Sequence, residues 1–246
     1  MKAFFCSALL LLAFSLNAQA PVPLAHSNAP GEPHHHLKIE NEYVRAYYVE
    51  VGPHSDTQLH QHDHDYIFVT LGASEVINAV LGKPEIKLSL KDGEARFTRG
   101  GFAHVARNLS DKPFRNVTIE LLHAQGEAHN DCGFVVPGEG AAICDPPFAS
   151  DWADTQFQTS EARLDLVWLF EDGKHTESAS KVAFLVVGLG GPQVKINAKG
   201  KSLKTLREGE VEWFDPGSDV QFSHEGAELA KFLKLTFKDS ALRSRP

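Results

Sequence analysis

The chain has no long basic run, and its formal net charge is −8 over 246 residues. Nucleic-acid and anionic-membrane partners are therefore not expected, because such binding rests on Lys and Arg neutralising phosphates. After the first twenty residues no apolar stretch approaches the roughly 20 residues that span a bilayer, so no integral membrane domain is expected beyond that segment. Helical spacing is missing too: from Tyr43 to Leu122 apolar residues nowhere recur at three and four positions for three turns. Cysteine is scarce, with three in the whole chain. Against these absences stand 42% hydrophobic residues, enough for a real core, and a composition that is neither disordered nor collagen-like. Histidine is plentiful but lopsided: of thirteen, only His175 and His224 lie beyond His129.

Residues 1–20 read as a signal peptide. Met1-Lys2 is a short basic start, Ala3 to Leu16 is almost unbroken apolar sequence, and Ala18-Gln19-Ala20 has the small-x-small form of a cleavage site, with Pro21 an unfavourable residue just after it. An exported protein, periplasmic or extracellular, is expected; an uncleaved signal would remain as an anchor. Cys6 leaves with the signal, and Cys132 and Cys144, left in a compartment that permits disulfides, are expected to pair and staple a Gly/Pro-rich segment.

Residues 21–37, with the triplet His34-His35-His36, lack periodicity and read as a leader arm. Such a triplet can hold metal loosely; the plainer reading is a solvated arm that wraps the next domain. Strand-length runs follow at Val44 to Val51, Tyr66 to Leu71, Val76 to Leu81, Ile86 to Leu90, Ala95 to Thr98 and Val117 to Leu122. An all-β unit over 38–123 is predicted. A connection over 124–158 holds both cysteines, and strand-like runs resume within 159–240 before a tail at 241–246.

The second run echoes the first at an offset of 116, as Tyr66-Ile67-Phe68-Val69-Thr70-Leu71-Gly72 falls on Val182-Ala183-Phe184-Leu185-Val186-Val187-Gly188. The same offset lays Asp92 to Phe97 over Glu208 to Trp213, Gly101 over Gly217, and Asn116 to Leu122 over Phe232 to Lys238. Two copies of one β-domain are the reading.

Alternate residues of a strand share a face about 6.5 Å apart, so His60, His62 and His64 lie on one side and two of them can reach one ion. A third ligand must come from another strand, and His104 follows a strand and a Gly-rich turn that return it towards the pair. On these residues the chain resembles the cupin superfamily. Its second motif, G-x5-P-x-G-x2-H-x3-N, is met by Gly93, Gly101, His104 and Asn108, with Arg99 in place of the proline. Its first motif is met by Gly52, His60, His62 and Gly72 with a longer first gap and without the glutamate. Counting forward from His62 puts Tyr66 in the glutamate's place; counting back from Gly72 puts Asp65 there.

The resemblance implies two tandem antiparallel barrels of the jelly-roll, or double-stranded β-helix, type. It also implies a divalent metal on His60, His62 and His104. Imidazole suits Fe, Ni, Cu or Zn, and Mn if Asp65 or Glu120 joins. The second copy has Thr176, Ser178, Val182 and Val220 at the corresponding positions and reads as a degenerate barrel. Arg96 and Arg99 are candidates for holding an anionic substrate or for the surface. Asn116, Thr118 and Glu120 form one polar strand face, turned to solvent or to the pocket.

The leading expectation is an exported metalloenzyme, dioxygenase-like, acting on a small molecule, with Tyr66 or Asp65 as the acid-base group. The rival is a non-catalytic module binding a small ligand. Cupin barrels often pair face to face, and two copies in one chain can do so internally, so a monomer or a homodimer is expected.

Overall fold

A computed structural model describes residues 27–144 and 151–238. The predicted signal peptide, the first residues of the arm and the tail lie outside the described residues. Among the described residues no helix is long and apolar enough to cross a membrane.

The first half carries β1 (Ser27–Asn28), β2 (His35–Glu40), β3 (Val44–Val51), β4 (His60–His62) and β5 (Asp65–Leu71). It continues through β6 (Ser74–Val80), β7 (Ile86–Leu90), β8 (Ala95–Thr98), β9 (Phe102–Asn108) and β10 (Phe114–Leu121). These form two sheets in the orders β1-β4-β9-β6-β7 and β2-β3-β10-β5-β8. The second half carries β11 (Ala128–Asn130), β12 (Trp152–Thr159), β13 (Ala162–Leu169), β14 (Lys174–Glu177) and β15 (Phe184–Gly188). After it come β16 (Val194–Ala198), β17 (Lys204–Leu206), β18 (Val211–Phe214), β19 (Val220–Ser223) and β20 (Ala230–Phe237). Its sheets run β11-β12-β13-β20-β15-β18 and β14-β19-β16-β17. Apart from the added strands β1 and β11, the two halves have the same strand order. Each is a jelly-roll barrel of antiparallel sheets.

The long sheets of the two barrels pack on each other. Ile67, Val69, Val117 and Ile119 from the first share one core with Leu164, Leu185, Leu233 and Leu235 from the second. Each fully buried aliphatic side chain there stabilises the pair by roughly 1.5–3 kcal/mol. β5 and β10 are thus buried on both faces, one against the sister barrel and one inside their own, which is why they read as nearly continuous apolar runs.

Strand pairing refines the internal repeat. Thr70 N–H donates to the Glu94 carbonyl and Gly93 N–H to that of Thr70; in the second barrel Gly188 N–H donates to the Glu210 carbonyl and Gly209 N–H to that of Gly188. Gly188 therefore stands where Thr70 does, an offset of 118, while Gly93 and Gly209 keep 116. The slip of two residues preserves which face each side chain occupies. Glycine is required at 188 because a Cβ there would overlap the Arg207 carbonyl.

Five of the arm's residues belong to strands: His35 to Leu37 open β2, and Ser27 and Asn28 form β1, which adds to β4 in parallel through Ser27↔His60. The 124–158 segment also holds strands, β11 and most of β12. Alternation there was hard to see because β12 carries a register break between Thr155 and Phe157. Cys132 and Cys144 are joined by a disulfide with Cα atoms 5.5 Å apart. The stapled loop lies against the first barrel: Val135 is buried in the shared core, and its carbonyl accepts from Phe97 N–H at 2.7 Å.

Asn108, which closes the second motif, is 1% exposed. Its Nδ2 donates to the carbonyls of Val51, Gly52 and Lys112, and its Oδ1 accepts from Ser110 N–H and Oγ. One amide thus pins the end of β9 to the end of β3. Asn108-Leu109-Ser110 and Asn116-Val117-Thr118 fit the N-glycosylation acceptor pattern, but both asparagines are buried in the folded chain, at 1% and 3% exposed, and closed to it. Asn108→Ala is expected to lower stability by about 2 kcal/mol, since carbonyls left buried without a donor carry their desolvation cost. Thermal or denaturant unfolding checks this, and an unchanged midpoint would contradict the hub role.

Candidate metal centre

His60 and His62 project from β4 on one face, as the period of two requires, and are 1% and 2% exposed. His60 pairs directly with His104 across the β4–β9 ladder. The return that brings His104 back is the Gly100-Gly101 turn. Gly101 adopts a positive φ of 85°, its N–H donates to the His62 carbonyl, and a Cβ on Gly100 would overlap the His64 backbone. The His60 and His104 rings lie 4.5 Å apart, the His60 and His62 rings 5.1 Å, and the His62 and His104 rings 5.4 Å.

A fourth histidine joins them. One ring nitrogen from each of His35, His60 and His62 lies within 4.8 Å of the others, and the His35 ring is 4.8 Å from that of His60. Sequence reading placed His35 in a solvated arm; only its position as the first inward residue of β2 separates it from His34 and His36. Its anchor is Glu32, 1% exposed, which accepts from His35 Nδ1 (2.8 Å), His34 Nδ1 (2.7 Å), His34 N–H (2.7 Å) and Gln58 N–H (3.1 Å). Burial alone would raise the Glu32 pKa, but these donors outweigh it and hold the carboxyl far below its ordinary range.

In all four rings Nδ1 is committed. That of His60 donates to the Gln58 carbonyl (2.8 Å), that of His62 to Glu120 (3.1 Å), that of His104 to Asn78 Oδ1 (2.7 Å) and that of His35 to Glu32. A carbonyl or carboxylate only accepts, so in the neutral ring the proton sits on Nδ1 and the Nε2 lone pair is left over. His60 Nε2 and His104 Nε2 then face each other at 3.1 Å as two acceptors. Only a proton or another cation between them makes that contact favourable. Burial disfavours the proton, lowering the His60 pKa to about 4 and holding those of His104 and His35 down as well. A further buried acceptor, Glu120 Oε2, has no hydrogen-bond partner among the described residues. Neutral imidazoles oriented by outer acceptors are the usual environment of a bound metal, and this donor set fits one divalent ion, with His35, His60 and His62 the three whose ring nitrogens lie within 4.8 Å of one another and His104 beside His60. Sequence reasoning missed both Asn78 and Glu32 as orienting groups.

The other candidates separate. Tyr66 is buried, its ring stacked on His62 at 4.2 Å, and burial raises its pKa, so it is a neutral phenol. Asp65 is not brought to the histidines: it accepts from Arg99 Nη1 at 2.7 Å and Gly100 N–H at 3.0 Å, clamping the turn before β9. Asn116, Thr118 and Glu120 are all buried, so the polar face of β10 looks into the barrel. Arg96 lines the cavity with its Nε donating to Glu94 (2.7 Å), whereas Arg99 is tied to Asp65 and the Gly126 carbonyl. The cavity holds about 320 Å³ beside the histidines. Its walls are mostly apolar, including Val49, Phe68, Val76, Leu90 and Phe114, and Pro137 of the stapled loop borders it.

The sister barrel has an ion pair where the first has its histidines. Opposite Val220, the counterpart of His104, the ladder places Glu177. Glu177 accepts from His175 Nε2 at 2.7 Å and from Lys234 Nζ. Burial opposes ionisation, yet these partners bring its pKa down to about 2.

No family model matches the sequence, and no curated protein matches it. Among solved structures it is similar to AerE from Microcystis aeruginosa (TM-score 0.55, 9% identity, 84% of this chain and 98% of that one). It is also similar to a cupin 2 conserved barrel domain protein from Leptotrichia buccalis (0.54, 11%, 82% and 87%). A third is a salicylate 1,2-dioxygenase from Pseudaminobacter salicylatoxidans (0.56, 11%, 79% and 71%). At these identities the likeness shows the fold alone: two β-barrels in tandem, as in those structures.

Proposed function

We propose that the protein is an exported metal-dependent cupin that oxidises a small organic anion with dioxygen, in the manner of a dioxygenase. The observation that carries this reading is the set of buried imidazoles, each with Nδ1 held by an outer acceptor, opening on an apolar cavity of about 320 Å³. A divalent ion held there supplies a Lewis acid with open coordination positions and, if redox-active, one-electron chemistry. The chain's own residues do the rest. The apolar walls exclude water and match the body of a small aromatic or aliphatic ligand. Arg96 is the cation at the cavity wall and holds a ligand carboxylate, while the neutral Tyr66 hydroxyl donates a proton or a hydrogen bond beside His62. Cys132–Cys144 suits a compartment that permits disulfides.

The other reading is a module that binds such an anion without turnover. It is favoured by the fold likeness to a vicilin from Solanum melongena (TM-score 0.54, 13% identity, 80% of this chain and 75% of that one), described as holding different anionic ligands in similar pockets. Oxygen uptake by metal-loaded protein over a panel of small aromatic and aliphatic carboxylates separates the two. Uptake coupled to ligand loss supports the enzyme; tight binding with no uptake supports the module. For either, Arg96→Leu is expected to weaken carboxylate binding about tenfold to a hundredfold, the size of a lost charge-assisted hydrogen bond. Unchanged affinity by calorimetry would remove Arg96 from the site.

A further inference from the structure

We infer that residues 27–36 of the amino-terminal arm act as a metal-linked clasp: His35 is the fourth imidazole of the centre, Glu32 is the residue that positions it, and metal binding closes the arm over the cavity. The inference rests on a metal being bound by the first barrel.

The arm is attached in two unlike parts. β2 is held by its ladder to β3, through His35, His36 and Leu37 before a register break and through Ile39 and Glu40 after it, and Ile39 packs on the shared core. The break, between Leu37 and Ile39, separates the half of β2 packed on the shared core from the half that carries His35. Ahead of β2, residues 27–34 reach the barrel through the two-residue pairing of β1 with β4, a hydrogen bond from Ser27 N–H to the Leu59 carbonyl at 3.4 Å, and one from Glu50 N–H to the His34 carbonyl at 3.3 Å. The Glu32 hub and the His35 ring complete them.

Glu32 is the group that makes this segment respond to the centre. One of its oxygens takes Gln58 N–H from the barrel, and both take donors from the arm. The same Gln58 offers its carbonyl to His60 Nδ1. Arm and barrel histidines are thus oriented through one residue, from its amide on one side and its carbonyl on the other. With Nδ1 of His35 held by Glu32, the remaining Nε2 is the ring nitrogen left for the centre, and the ring lies 4.8 Å from His60 and 5.7 Å from His62. His35 also lines the cavity, so releasing the arm uncovers it. Without an ion, His35 is seated by its ladder pair Val49 and by Glu32; with one, the bond from His35 to the ion is a further bond between arm and barrel.

Hydrogen exchange of the full mature chain, metal-free and loaded with zinc(II), tests this. Metal is expected to slow exchange of amides in 27–36 at least tenfold while β3 and β10 stay unchanged. In His35→Ala zinc binds at least a hundredfold more weakly, and once saturated it no longer protects the arm. Glu32→Gln, which keeps an acceptor but removes the charge, is expected to lose about tenfold in affinity, the scale of an outer-shell change. Cobalt(II) loading adds a readout of donor number, since the visible d–d bands should differ between wild type and His35→Ala. Protection of β3 and β10 in each variant reports that the barrel is folded. Arm exchange indifferent to zinc in the wild type, or a His35→Ala affinity and cobalt spectrum equal to the wild type, would overturn the clasp while leaving the barrel metal site standing. A wild type that binds no metal at all would overturn both.

Discussion

Replacing His60 with alanine is expected to abolish metal binding by the first barrel. His60 is the centre of the cluster: its ring lies within 4.5–5.1 Å of those of His35, His62 and His104, and its Nε2 is 3.1 Å from that of His104. Removing it strips one ligand and also the acceptor that makes a cation necessary beside His104. Loss of an outer-shell partner alone costs about 10- to 100-fold in metal affinity, so loss of this ligand is expected to exceed about a thousandfold. Bound metal, measured by elemental analysis after dialysis, should fall from one equivalent to none, and any oxygen uptake should go with it. The alanine also removes a buried imidazole bonded to the Gln58 carbonyl, so circular dichroism must show the β signal intact. Full metal occupancy in a folded His60→Ala protein would refute the site.

Acid unfolds the metal-free protein over a window set by the same residues. In the unfolded chain the His60 imidazole takes a proton at its ordinary value of 6.5, but in the fold burial delays this to about 4. Between these values the unfolded state holds more protons, so unfolding is favoured as pH drops. The contribution is fully present above pH 6.5, shrinks below it and is lost by about pH 4; the two limits correspond to roughly 3 kcal/mol. His104 and His35, lowered for the same primary reason of burial, act in the same direction. A metal ion ligates the neutral rings and opposes the effect until protons displace it. Denaturant midpoints from pH 7 to 4, with and without zinc(II), check this. The metal-free midpoint should fall steeply and His60→Ala should flatten the slope; a flat wild-type curve would show that these rings are not held neutral.

Much of the fold was legible because strand patterning is local. The predicted runs at Val44–Val51, Ile86–Leu90 and Ala95–Thr98 coincide with β3, β7 and β8. Spacing likewise identified His60, His62 and the Gly-headed return to His104, since parity and a glycine turn are properties of adjacent residues. β12 was less visible because its bulge interrupts alternation, and the repeat's register was drawn two residues off by a glycine at 188 that serves close packing with Arg207. The polar face of β10 could not be assigned from parity alone, because both of its faces are covered.

What the chain determines by itself is therefore periodic: two β-domains, an uneven histidine supply, two histidines in phase and a third brought back by glycines. What only the tertiary structure decides is which groups meet across the barrel. His35 differs from its two neighbours in the triplet only by the side of β2 it occupies, which the pairing with β3 sets. Asn78 becomes the partner of His104, 26 residues away, because β6 pairs with β9, and Glu32 meets His35 because the turn before β2 folds its carboxylate under the same ring that the β2–β3 pairing faces inward. Alternation along a strand is written in neighbouring residues; convergence on an ion is a property of the closed barrel.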